Sequence, residues 1–111
     1  MIKDVAKGRP AKFRSPKWKK FESEMIIKQP YCAVCGNTIV RELTGHHMKP
    51  YHAFPELELD PENILIMCYN GPGHINCHLV VGHCGNWRYY NPNVIRDAKR
   101  IRDMLNAKVK V

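Results

Sequence analysis

Between Cys32 and His83 the chain places Cys32-Ala-Val-Cys35, His46-His47, Asn63, Cys68 and Asn76-Cys77-His78, so all six histidines and four of the five cysteines fall inside this one stretch. A small core is better filled with Leu, Ile and Phe than with side chains that bind metal or move protons. The crowding therefore points to a site, and the fold must bring its scattered members together. In a chain of 111 residues, the expected organisation is a basic arm over residues 1–14 and a single domain over 15–111. A core of that size gives thin stability by itself, so a metal staple is physically reasonable.

The formal charge of +8 favours an acidic polymer as partner, with nucleic acid foremost. No stretch approaches the ~18 apolar residues of a membrane span, and the amino end lacks the apolar run of a leader. The expected setting is a reducing cytoplasm with no membrane partner. Cysteines there are more often metal ligands than disulfides. Five cysteines fit four ligands and one spare, Cys84, expected as a small packed residue.

Ser15-Pro16 reads as a cap followed by proline at the first helical position. Trp18, Phe21, Met25 and Ile26 recur at helical spacing, which predicts a helix over about 16–28. Thr44 to Pro50 predicts a short strand carrying His46-His47, and Asn63-Ile-Leu-Ile-Met67 begins a second, with a proline-punctuated connection between them. Asn91-Pro92 opens a last helix, about 92–107, with Val94, Ala98, Ile101 and Leu105 on one face. The fold class is thus α+β, a two-stranded antiparallel hairpin flanked by helices.

Cys32, Cys35, Cys68 and Cys77 would close a tetrahedral zinc shell, the usual state of a structural site. Gly36 after Cys35 suits the tight turn of a zinc knuckle. The second pair is spaced more widely than usual, so a shell with His74 replacing one thiolate stands beside it. The histidines need another task, and a second, hard divalent ion held by imidazoles could polarise a phosphate. A neutral imidazole outside that shell could take a proton from water near pH 7. Successive strand residues point to opposite sides, which suits His46 and His47 to different roles.

The order Cys-x-x-Cys, His-His-x-x-Pro, Leu-x-Leu-Asp-Pro-x-Asn-Ile-Leu-x-x-Cys and Asn-Cys-His…Gly-His-x-Gly-Asn-Trp resembles the HNH endonucleases of the ββα-metal fold. It is most similar to their small phage and prophage branch with a four-cysteine zinc cluster. The resemblance covers about residues 15 to 95. It implies a DNA phosphodiester hydrolase in which His46 binds the catalytic ion, Mg²⁺, Mn²⁺ or another divalent ion, and His47 is the general base. Asn63 would hold the base or join the metal shell, and His78 and His83 correspond to the closing histidines. Those two are five apart and would diverge by about 140° on a regular helix. Either Gly82 breaks the helix so that His83 turns back, or only one of them binds.

Arg14, Lys17, Lys19, Lys20, Arg88, Arg96, Lys99 and Arg100 are the expected phosphate contacts. His52 is expected to be structural or to touch phosphate. Nicking and double-strand cleavage both fit one such site, the latter with two copies paired as a homodimer. A phage terminase is a further candidate partner by resemblance alone. The competing reading is a zinc-stabilised nucleic-acid-binding module without catalysis, which would leave the histidine cluster unexplained.

Overall fold

The computed structural model describes residues 14–109; of the basic arm expected over residues 1–14, only Arg14 lies among them. Two strands, β1 (Leu43–His47) and β2 (Ile64–Cys68), pair antiparallel, with Gly45 opposite Ile66 and His46 opposite Leu65. Helix α1 (Trp18–Lys28) packs on this hairpin, and α2 (Val94–Val109) packs on a five-residue π-helical turn, His78–Gly82. The molecule is the expected α+β hairpin with flanking helices.

The alternation of β1 sends neighbouring histidines to different surroundings. His47 meets the Trp18 ring of α1, with centroids 4.5 Å apart, whereas His46 lies 4.9 Å from the rings of both His78 and His83. Gly45, between Thr44 and His46, lets α1 come close: a Cβ there would stand 3.3 Å from Trp18 Cη2. Glu22 of the same helix closes the free edge of β1, its Oε2 accepting from Gly45 N at 2.9 Å and Thr44 Oγ1 at 3.1 Å. Ile66, Met67, Leu43, Met25, Val34, Val81, Val94 and Ala98 fill the buried centre. The periodic apolar positions of the two helices supply much of it.

Several boundaries differ from the sequence expectation. Helix α1 begins at Trp18, because Ser15 Oγ accepts from Lys17 N at 3.1 Å and Ser15 N donates to Glu58 Oε2 at 2.9 Å, pinning Pro16-Lys17 as a turn. Strand β1 stops at His47, since Lys49 N donates to the Asn63 side chain at 2.8 Å and Pro50 has no N–H to offer. Asn63 is correspondingly the last residue of a single 3₁₀ turn, Pro61–Asn63, and precedes β2. Helix α2 starts at Val94 because the buried Asn91 spends its backbone N–H on Gly82 O and its Oδ1 on Asn93 N, docking a turn onto the π-helical segment. No helix among the described residues is long and apolar enough to cross a membrane.

Candidate metal centres and catalytic site

The four sulfurs of Cys32, Cys35, Cys68 and Cys77 lie within 4.8 Å of one another. Zinc with bonds of ~2.3 Å sets a tetrahedron of edge about 3.8 Å, and Cys35 and Cys68 Sγ stand 3.5 Å apart. The knuckle forms because Gly36 takes φ +80 and donates its N–H to Cys32 O at 2.9 Å, while Ala33 N is tied to Ile66 O at 2.9 Å. Asn37, Asn70 and Glu42 stitch the two ligand loops together. Asn37 Nδ2 donates to Glu42 Oε1 at 2.8 Å and to Asn70 O at 3.1 Å, and Asn70 Nδ2 to Glu42 Oε2 at 3.1 Å. Those donors hold the Glu42 carboxyl below its usual range.

Thiol chemistry shows what the tetrad wants. Hydrogen bonding from Cys77 lowers Cys32 to about 4, whereas burial pushes Cys35 up to about 12 and the bond to Cys32 raises Cys77 further. One thiolate is tolerated without a cation; four would need a dication among them. His74 is not a member: it is exposed, and its Nδ1 faces Asn70 Oδ1 at 3.0 Å. Cys84 departs from the expected packed residue, being exposed at φ +55. With Gly85 at φ +84 it makes the left-handed turn that sends the chain back past His83.

The second cluster is His46, His78 and His83, whose nearest nitrogens also fall within 4.8 Å of one another. The regular-helix spacing problem is resolved by the π-helical turn. Its i→i+5 bonding makes a wider turn, and His78 and His83 return to one side with Nε2 atoms 3.2 Å apart. His83 Nδ1 lies 2.6 Å from Tyr89 O; a carbonyl can only accept, so this nitrogen carries the proton and Nε2 presents a lone pair. His46 is 0% exposed, and neither ring nitrogen has a hydrogen-bond partner among the described residues. Burial, then the neighbouring imidazoles, lower it to about 2, and burial lowers His78 to about 3. Buried nitrogens without partners are costly. Three neutral imidazoles converging on one point fit a divalent cation, the group that would satisfy them.

His47 is built differently. Its Nε2 lies 2.9 Å from Glu58 O and must be the donor, which leaves Nδ1 with the lone pair. Burial lowers its pKa, against the opposing pull of the Glu58 carbonyl. Asn63 fixes the loop that supplies this carbonyl. Its Oδ1 accepts from Lys49 N at 2.8 Å, and its Nδ2 donates to Lys49 O at 3.0 Å and Leu57 O at 3.2 Å. Asn63 thus spans both ends of the connection beside His47, and its polar atoms are spent there.

A cleft of about 190 Å³ opens over these groups, lined by Arg14, His47, His52, His78, His83 and Trp87 among others. Of the expected phosphate contacts, only Arg14 reaches it, its guanidinium 4.7 Å from the Trp18 ring centre and 4.9 Å from that of Tyr51. Lys17, Lys19, Lys20, Arg88 and Arg100 are exposed elsewhere on the surface. Arg96 and Lys99 pair with Asp97 at 3.1 Å and Asp103 at 2.9 Å. Sequence reasoning did not single out Glu58, whose contribution is a backbone oxygen, nor Trp87 as part of the cleft. It missed Asn91 as well, whose Nδ2 donates to Val81 O at 3.0 Å and secures the π-helical turn. The Asn-Pro signal marked Asn91 only as a cap.

The HNH endonuclease family model matches residues 32–71, from the first cysteine pair through β2 and short of His78 and His83. No curated protein and no solved structure gives a significant match. Over residues 32–71 the chain is similar to the HNH endonucleases, and the antiparallel hairpin, the adjoining helical turn and the cysteine tetrad make it a small α+β domain consistent with the ββα-metal fold.

Proposed function

We propose that the chain is a metal-dependent endonuclease that hydrolyses phosphodiester bonds in DNA. The reading is carried by two consecutive histidines in opposite states: His46, buried with both nitrogens unpartnered beside His78 and His83, and His47, with Nε2 held by Glu58 O. In this reading His46, His78 and His83 hold the catalytic divalent ion, Mg²⁺ or Mn²⁺, which when bound polarises the phosphate and stabilises the departing 3′-oxygen. His47 Nδ1 takes the proton of the attacking water. Asn63, bonded to Leu57 O and to Lys49, holds the loop whose Glu58 carbonyl orients His47 and fixes its tautomer. Such a positioned base is worth roughly 10²–10⁴ in rate.

Cys32, Cys35, Cys68 and Cys77 hold structural Zn²⁺ and join the two loops around β2. Arg14 binds phosphate in the cleft, while Lys17, Lys19, Lys20, Arg88, Arg96, Lys99 and Arg100 give affinity along the backbone without reading sequence. A bacterial or phage-infected cytoplasm, with a phage terminase or a second copy as partner, is the setting that the phage-branch resemblance suggests. The test is supercoiled plasmid incubated with the protein and Mg²⁺, Mn²⁺ or EDTA. Nicked or linear product that requires the ion supports the reading. Tight binding without product under any ion contradicts it and favours a binding module.

A further inference from the structure

Trp87 lines the same cleft as Arg14 and is a residue that packing alone does not explain. The residue is 54% exposed, yet its ring centre lies 5.1 Å from that of His78 and 4.8 Å from that of His83. Nor is the indole on a loose segment. Asn86 N donates to His83 O at 3.0 Å, Arg88 N to Asn86 Oδ1 at 2.9 Å, Tyr89 N to Asn86 O at 2.9 Å, and Gly85 N to Leu79 O at 2.9 Å. The hydrogen-bonded turn carries a large aromatic side chain that lines the cleft. Also lining the cleft, the Arg14 guanidinium rests on Trp18 and Tyr51 with no carboxylate in ion-pair range among the described residues. A cation and an aromatic face therefore flank His47, His78 and His83.

We propose that Trp87 is a stacking platform for an unpaired DNA base next to the scissile phosphate, so that single-stranded or locally unpaired DNA is the preferred substrate of this site. The inference rests on the nuclease reading above. Arg14 and the histidines meet the phosphate, and the base of an adjoining nucleotide lies on the indole. In an intact duplex that base is paired and stacked inside the helix. An indole whose ring centre lies 5.1 Å from that of His78 and 4.8 Å from that of His83 can meet its face only after it has left the stack. Stacking of this kind tolerates any base, since every base has a π-face. Arg88, next to Trp87 in the chain, is exposed on the same turn.

The test uses the full chain in a His47→Ala background, in which cleavage is expected to be slow, and measures affinity for a fluorescent single strand of about 16 nucleotides, the upper end of single-strand site sizes, and for a hairpin duplex of the same sequence. Trp87→Ala is expected to weaken single-strand binding roughly 5- to 100-fold and to leave duplex binding within about twofold, with Trp87→Phe restoring most of the loss. Mn²⁺ affinity by calorimetry is expected to be the same in all three proteins. Equal loss on both DNAs, no loss on either, or a Phe variant as weak as Ala overturns the proposal. So does loss of Mn²⁺ with Trp87→Ala, which would make the indole a shield for the imidazoles. Failure of ion-dependent plasmid cleavage removes the nuclease reading itself. Intact cleavage with equal rates on single strand and duplex removes only this inference.

Discussion

Cys77 and His78 are consecutive residues that belong to different clusters: the Cys77 sulfur completes the cysteine tetrad, and the next side chain completes the histidine triad with His46 and His83. A single peptide link therefore joins the centre that ties the loops together to the centre proposed for chemistry. Two glycines stand against these clusters, Gly71 at the sulfurs and Gly82 at the His46 ring. Each offers a way to disturb one centre at a time.

At Gly71 an added Cβ would stand 2.9 Å from Cys77 Sγ and 3.4 Å from Cys35 Sγ, while the backbone at φ −84 suits any residue. Gly71→Ala is a purely steric change. It is expected to lower stability by about 1–3 kcal/mol, the range for overpacking a tight site, and to weaken zinc. Urea unfolding with chelator competition measures both, and wild-type values in both would contradict a zinc-filled tetrad.

At Gly82 the added Cβ would lie 3.0 Å from Nδ1 and Cε1 of His46. Displacing a ligand ring by a few tenths of an ångström should weaken the ion at the triad by roughly 10- to 100-fold, the scale of losing a supporting contact. Zinc content is expected to stay at one equivalent. Calorimetric Mn²⁺ binding unchanged in Gly82→Ala would argue that His46 is not a ligand.

Asn63→Ala removes three hydrogen bonds from a buried position. A stability loss of about 1–3 kcal/mol is expected from the backbone groups left unpaired. Because the loop then no longer fixes Glu58 O against His47, turnover should fall while DNA affinity holds. Asn63→Asp can still accept from Lys49 N but cannot donate to Leu57 O, so it should recover stability only in part. Full activity in Asn63→Ala would show that the His47 carbonyl contact needs no such clamp.

The pH dependence follows from His46. Its native pKa is about 2, against an ordinary value near ~6.5 in the unfolded chain. Below pH 6.5 the unfolded state binds the extra proton, so stability is fully present above that value and declines as pH falls toward the native pKa. The slope is about 1.4 kcal/mol per pH unit for this residue. A bound ion, which also needs the neutral ring, acts with the same sign. Urea unfolding of wild type and His46→Gln between about pH 5 and 7 isolates it: the variant should have the shallower slope, and equal slopes would contradict a neutral buried His46.

Much of this arrangement was legible in the residues. Cys32-x-x-Cys35 with Cys68 and Cys77 named the tetrad, and the period-two logic of a strand separated His46 from His47 before their surroundings were known. What escaped was set by backbone geometry. Arithmetic at 3.6 residues per turn put His78 and His83 on diverging faces, but the π-helical turn brings them together. No residue type announces Glu58 O as the partner of His47, because the group belongs to the main chain. Cys84 looked like a core residue by composition, yet the left-handed turn that brings Tyr89 O to His83 leaves it outside. The helix starts moved by two residues because Ser15 and Asn91 are committed to tertiary bonds.

The most direct test of the central claim is the single-turnover rate of DNA cleavage by wild type and His47→Ala at saturating Mn²⁺, with DNA and Mn²⁺ affinities measured on the same preparations. If His47 is the base and the ion sits at His46, His78 and His83, the rate falls by roughly 10²–10⁴ while both affinities stay within about twofold. A variant that cleaves at the wild-type rate, or that loses activity only by losing the ion, would contradict the division of labour between His46 and His47.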